Sequence, residues 1–262
     1  MKGLLLFISL AYGHVSLSQT YTDAYSAILS GAQINHQSSL SVFYNPSLQA
    51  KQTEIGIGST FFNANSGLYN IQIAYSRRKE RHTLSGGLSQ EGYQQFNNTT
   101  GLIHYALQLD STWNVGMTVG LTSSNLTTNQ TYLPQFAVGI KKQINTQITF
   151  SLSMFNQQNQ TFQNESLNKR FTQRWVSGLS FHSINKQFSA YLSVQHDQQT
   201  AFALALYYRI TNRIHFFVSG KTSPVSYAFG GRFNLQSLSL LIGFHYHSYL
   251  GFSPSTVAEY EF

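Results

Sequence analysis

The chain has no cysteine, so a disulfide framework, a thiolate zinc site, an iron–sulfur cluster and a cysteine nucleophile are excluded. Charge is scarce: 10% of the 262 residues are Asp, Glu, Lys or Arg, against roughly 25% in a typical soluble domain. Proline is rare, with four in the whole chain. Beyond the first dozen residues there is no run of about 20 apolar residues, so no helix is expected to cross a bilayer. What is abundant is aromatic, at 15%, which disfavours disorder. The formal charge of +7 is modest and scattered.

Residues 1–18 have the pattern of a secretory signal peptide. Lys2 forms the positive region, Leu4 to Tyr12 the apolar core, and Ser16 and Ser18 the small residues before a cleavage site. The mature protein is then expected to begin at Gln19 and to be exported.

From residue 52 onward the governing signal has period two. Phe202, Leu204, Leu206, Tyr208 and Ile210 alternate with Ala201, Ala203, Ala205, Tyr207 and Arg209; Trp113, Val115, Met117, Val119 and Leu121 alternate with Thr112, Asn114, Gly116, Thr118 and Gly120. Successive strand side chains point to opposite faces, so each such segment has one oily face and one small or polar face. Fourteen segments follow the pattern, near 52–62, 67–76, 82–90, 99–109, 112–122, 134–142, 146–156, 171–183, 187–197, 200–210, 213–221, 225–234, 237–247 and 255–262. Their length suits a tilted strand crossing a hydrocarbon core, and an even count suits a bacterial barrel.

The links alternate in length. Arg77 to Arg81, Asp110–Ser111, Gln143 to Asn145, Ser183 to Lys186, Thr211–Asn212 and Leu235–Gln236 are brief. Glu91 to Asn98, Ser123 to Leu133, 156–170 and Ser248 to Pro254 are longer and rich in Asn, Gln, Ser and Thr, as expected of extracellular loops. An even count then puts both termini on the periplasmic side.

Periodicity does not say which face is inside. The polar face is Gly, Ser, Thr, Asn and Gln rather than the Lys and Glu of a water-exposed surface, and fourteen strands enclose more space than their own side chains fill. The chain also ends in Tyr260 and Phe262 on one face, a terminal aromatic pair that resembles the signal read by the barrel-assembly machinery. The expected fold is all-β, a 14-stranded antiparallel transmembrane barrel at residues 51–262. It lies in the cell outer membrane, with outer-membrane lipid and, during insertion, the assembly machinery as partners.

Residues 19–50 break the strand pattern. Ala24 to Ala32 is spaced for a short helix, and Pro46 stops any regular element, so a segment that occludes the lumen is expected. Gly31-Ala32 followed by Ser41-Val42-Phe43-Tyr44-Asn45-Pro46 resembles the opening element of the long-chain fatty-acid transporter superfamily of fourteen-stranded barrels. It is most similar to the smaller Bacteroidota branch with the PorV- and PorQ-like secretion barrels, as is His247-Ser248-Tyr249-Leu250-Gly251-Phe252-Ser253-Pro254. The resemblance implies that Phe43, Tyr44, Asn45 and Pro46 form a hatch. It implies an accessory subunit of a type IX-like secretion or outer-membrane assembly complex, with protein partners there. The alternative it implies is a hatch-gated transporter of hydrophobic small molecules such as fatty acids; Ser47 in place of the family's Ala, and a chain too short for a large extracellular groove, favour the former.

Reactive constellations are sparse, and neither catalysis nor a cofactor is expected. The spacing His-x-Ser, which an outer-membrane lipase needs on one strand face, occurs only at His14/Ser16 and His36/Ser38, off any strand. His245 and His247 share a face, and Glu259 and Glu261 lie on the next strand, a zinc-capable set if register brings them together; the expectation is a hydrogen-bonded lumen wall. Arg77, Arg78, Lys79 and Arg81 form a basic cluster on a short turn, suited to lipid phosphate or an acidic partner. Nucleic acid is not an expected partner, given export and no basic stripe among exposed aromatics.

Overall fold

The computed structural model describes residues 24–62, 67–93, 96–126, 129–163, 166–197, 199–248 and 251–262. The expected leader at 1–18 and residues 19–23 lie outside them. Fourteen strands form one closed antiparallel barrel. They are β1 (Glu54–Phe62), β2 (Leu68–Lys79), β3 (His82–Tyr93), β4 (Phe96–Gln108), β5 (Trp113–Leu126), β6 (Asn129–Gln143) and β7 (Ile148–Gln163), then β8 (Ser166–His182), β9 (Phe188–His196), β10 (Thr200–Arg209), β11 (Ile214–Thr222), β12 (Val225–Leu235), β13 (Leu238–His247) and β14 (Gly251–Glu261). Each pairs with its sequence neighbours, and β14 closes on β1 from Glu54↔Glu261 to Thr60↔Ser255.

The direction of each face follows from exposure. Leu84 is 59% exposed and the adjacent Ser85 5%; Ile103 is 63% exposed and His104 1%. The oily face points outward along every well-patterned strand, while Gly, Ser, Thr, Asn and Ala point inward. An apolar belt of this extent is not stable against water, and fully burying each such side chain is worth about 1.5–3 kcal/mol. Hydrocarbon is the environment that supplies that burial.

Short turns carry their own caps. Asp110 Oδ1 accepts from the backbone N–H of Thr112 (2.6 Å) and Trp113 (2.9 Å), and Asn145 Oδ1 accepts from Gln147 (2.8 Å) and Ile148 (2.7 Å). These Asx bonds replace ladder bonds where the chain reverses. They also hold the Asp110 carboxyl below its ordinary pKa, chiefly through the Thr112 N–H.

At the other end the structure departs from expectation. The segments read as long loops are mostly strand: β7 and β8 continue up to Gln163 and Ser166, and β5 and β6 up to Leu126 and Asn129. A ladder is made by the backbone, so Gln-, Asn- and Thr-rich residues extend it without any apolar alternation to announce them. These tall hairpins also part from one another. The β6–β7 ladder stops at Phe136↔Asn156, although β5–β6 pairing runs on to Leu126↔Asn129 and β7–β8 pairing to Gln163↔Ser166. The wall is therefore split between β6 and β7 above Phe136. A strand proline has no N–H to give and is tolerated where a neighbour is missing. Pro134 lies two residues past the end of this ladder, and Pro254 one residue past the end of β1–β14.

Candidate functional site

Residues 24–50 run inside the barrel. They comprise helix α1 (Ala24–Ile28), a 3-10 turn at Gln33–Asn35 and another at Ser39–Phe43, and nearly every residue is buried. Ser30 and Gly31 take positive φ (50° and 86°) and reverse the chain after α1. The Gly31 carbonyl accepts from Ser193 Oγ (2.9 Å) and Gln195 Nε2 (2.7 Å), and its φ of 86° is a conformation that strains any residue with a Cβ, so glycine is favoured there. Ser38 caps the second 3-10 turn by accepting from the Leu40 N–H at 3.0 Å.

One face of this segment is held by a charged cluster. Glu259 on β14 accepts from Tyr25 Oη (2.8 Å), from Ser38 Oγ, and from Arg232 on β12 (3.3 Å). The Arg232 guanidinium also donates to His36 Nε2 at 3.1 Å, which requires His36 to be neutral with its proton on Nδ1. Burial and the adjacent Arg232 both push the His36 pKa well below its ordinary value. Burial, reinforced by Glu259, raises that of Tyr25. Around them the His36 ring stacks on Tyr207 (centroids 6.0 Å, 8°), and Tyr207 meets Tyr191 edge-on at 5.5 Å.

The other face is held by neutral bonds, and here the four hatch residues named from sequence are found. Phe43 packs over Gly87, where a Cβ would lie 2.8 Å from its ring. Tyr44 Oη donates to the His36 carbonyl at 2.6 Å. Asn45 Oδ1 accepts from Ser47 N (2.9 Å), Ser47 Oγ (2.7 Å) and Ser153 Oγ (2.9 Å), while its amide donates to the Ile34 carbonyl. The Pro46 carbonyl accepts from His104 Nε2 at 2.7 Å. It sits so close to Gly116 that a Cβ there would be 1.7 Å from it. Gly178 makes the same kind of room for Ile34.

Above Val42 and Phe43 lies a pocket open toward the tall hairpins. Asn98, Thr100 and Thr122 line one side, Phe136 and Phe155 the other, with the Arg174 guanidinium 5.9 Å from the Phe155 ring centroid. Phe136 is the last β6 residue laddered to β7, so the pocket ends at the foot of the split.

Other sequence candidates are not brought together. His245 and His247 pair with Ser253 and Gly251, whereas Glu259 pairs with Ser239, at the opposite end of β13. Register thus separates the imidazoles from the carboxylates, and no set of three metal-ligating side chains occurs among the described residues. His36 and Ser38 bond to Arg232 and Glu259 rather than to each other. His14, Ser16, Tyr249 and Leu250 lie outside the described residues. Tyr260 and Phe262 face outward at the short-turn end, their rings edge-on at 5.0 Å. Arg232 was missed from sequence; its one signal is a charge at an inward position of a strand whose other inward residues are small or amide.

No protein-family model matches the sequence, and no curated protein does either. The fold, by contrast, is shared with solved barrels. The monoaromatic hydrocarbon channel CymD aligns at a TM-score of 0.69 with 10% identity over 94% of this chain and 98% of that one. The Ralstonia pickettii toluene transporter TbuX gives 0.66, 10%, 94% and 100%, and the Pseudomonas putida toluene transporter TodX 0.61, 11%, 91% and 97%. The molecule therefore has the fold of outer-membrane hydrocarbon channels. This overturns the expected role as an accessory subunit of a secretion or assembly complex, and the PorV- and PorQ-like branch finds no support. The residues that carried that resemblance are 31–32 and 41–46, in the segment inside the lumen, and, of 247–254, His247 at the end of β13 and Gly251 to Pro254 at the start of β14. Those features belong to the architecture, and architecture does not specify a role.

Proposed function

We propose that the protein is an outer-membrane channel for small, largely apolar molecules. In this reading they enter from the long-hairpin side, rest in the pocket against Phe43, Phe136 and Phe155, and leave sideways through the split between β6 and β7. Residues 24–50, with Phe43, Tyr44, Asn45 and Pro46 at their centre, act as the hatch that closes the straight route to the periplasm. Both termini are periplasmic, and Tyr260 and Phe262 serve as the assembly signal. The observation that carries the proposal is the ladder ending at Phe136↔Asn156 beside an aromatic-walled pocket. The likeness to hydrocarbon channels supports it.

The chain has no cysteine, so an engineered disulfide is unambiguous. Gln135→Cys with Gln157→Cys continues the β6–β7 register across the split. Cells displaying the parent protein should take up a radiolabelled monoaromatic hydrocarbon faster than cells without it. The oxidised double variant should lose that gain and recover it on reduction. Uptake unaffected by the lock, or equal acceleration for a polar sugar, would overturn the reading.

A further inference from the structure

The outward wall is not uniform where it meets the short turns. On β2 the lipid-facing file runs Ile71, Ile73, Tyr75, then Arg77 and Lys79; on β6 it ends at Lys142. Lys142 Nζ lies 4.6 Å from the ring centroid of Trp113 on β5. Between these, His82 Nδ1 and Tyr105 Oη are hydrogen-bonded at 2.7 Å. Cations and amphipathic rings thus form one arc across β2–β6, directly below apolar side chains. Two acids lie in its turns, Glu80 beside Lys79 and Asp110, against five cations, Arg77, Arg78, Lys79, Arg81 and Lys142, so the arc keeps a positive excess. The Asp110 carboxylate is turned into its own turn by Thr112 and Trp113, and Glu259 faces inward, bonded to Arg232. Elsewhere on this rim, at β12–β14, the outward residues are Phe233, Leu235, Leu238 and Tyr260, with no cation among them.

We infer that this arc is a binding surface for anionic phospholipid, with the phosphate held by Arg77, Lys79 and Lys142 and the acyl chains lying along the wall above. The geometry selects a lipid over a soluble acidic partner. The cations continue files that touch hydrocarbon, so whatever meets them needs an apolar tail on one side and a negative head on the other. Trp and Tyr settle at that level of a bilayer, and each interfacial cation near an anionic surface contributes about 1 kcal/mol, or roughly five-fold in association. The inference does not rest on the transport reading.

The chain has two tryptophans, so Trp175→Phe leaves Trp113 as the reporter inside the arc. The full-length Trp175→Phe protein is placed in phosphatidylcholine vesicles containing a small fraction of phosphatidylglycerol or phosphatidylcholine with brominated acyl chains. The brominated phosphatidylglycerol should quench Trp113 emission several-fold more effectively at equal fraction. Lys142→Gln should reduce that preference about five-fold, toward parity. Arg77→Gln with Lys79→Gln should lower the number of phosphatidylglycerol molecules retained by the barrel in native mass spectrometry. Emission of each variant in plain phosphatidylcholine reports whether it has folded, and the Trp175→Phe comparison stands without the others. Equal quenching by the two lipids, the result expected of a rim built for an acidic periplasmic protein, overturns the inference. So does a preference unchanged by all three replacements.

Discussion

The two halves of the wall treat the segment inside them differently. Strands β9 to β14 are 9–11 residues long and laddered to both neighbours over most of their length. They contribute the ion pair of Arg232 with Glu259 and the Tyr191–Tyr207–Phe217 cluster. Strands β4 to β8 are 13–17 residues long, part between β6 and β7, and meet the segment through neutral groups: His104 to Pro46 and Ser153 to Asn45. A buried charge cannot be left half-paired without a large penalty, whereas a neutral bond is lost cheaply. The short half is therefore the stronger anchor of residues 24–50, and the tall half is the side on which the segment is expected to loosen first.

Breaking the anchor should have the largest effect. Arg232→Ala leaves Glu259 buried without its cation and removes the donor to His36, a loss of about 3–5 kcal/mol in docking of residues 24–50. Amide exchange of peptides from 24–50 should accelerate far more than exchange in the strands. Crowding the tall half comes next. Gly116→Ala places a methyl against the Pro46 carbonyl and should cost about 1–3 kcal/mol. It should raise exchange around residues 44–48 while leaving 24–30 protected.

Acid should loosen the anchor by a smaller, graded amount. His36 has a lowered pKa when docked, so the docked form refuses a proton that the released form accepts near pH 6.5. Docking is at full strength above that pH and weakens by up to about 1.4 kcal/mol for each unit below it, down to the docked value. Protection factors in 24–50, which correct for the slower intrinsic exchange in acid, should fall between pH 7 and pH 5, and His36→Gln, which keeps an acceptor for Arg232, should flatten the slope. The smallest effect belongs to Ser153→Ala. It removes one of three donors to Asn45 Oδ1 and should cost about 0.5–1.5 kcal/mol, with protection falling locally at 45–47.

The barrel was legible because lipid on one side and a polar lumen on the other impose strict alternation, as along Phe202 to Ile210. The upper parts of β7 and β8 were not, because Gln, Asn and Thr pair through the backbone and leave no period in the side chains. Within the site, Pro46 stood out as a breaker and Asn45 through the family resemblance, and each has a specific partner. Arg232 and Glu259 did not stand out as a pair. They are 27 residues apart in sequence, on strands separated by β13, and only register and the lumen's curvature bring them to 3.3 Å. The role was the least legible of all, since the recognisable motifs lie in parts that any barrel of this build would need.

The closure of the cylinder has one more consequence. The strand that seals it, β14, is also the one that presents Glu259 to Tyr25 and Ser38. Zipping the final seam and completing the lumen's anchor are thus coupled: residues 24–50 gain their Glu259 partner only where β14 is in place, and a barrel left open at that seam would also leave the segment without it.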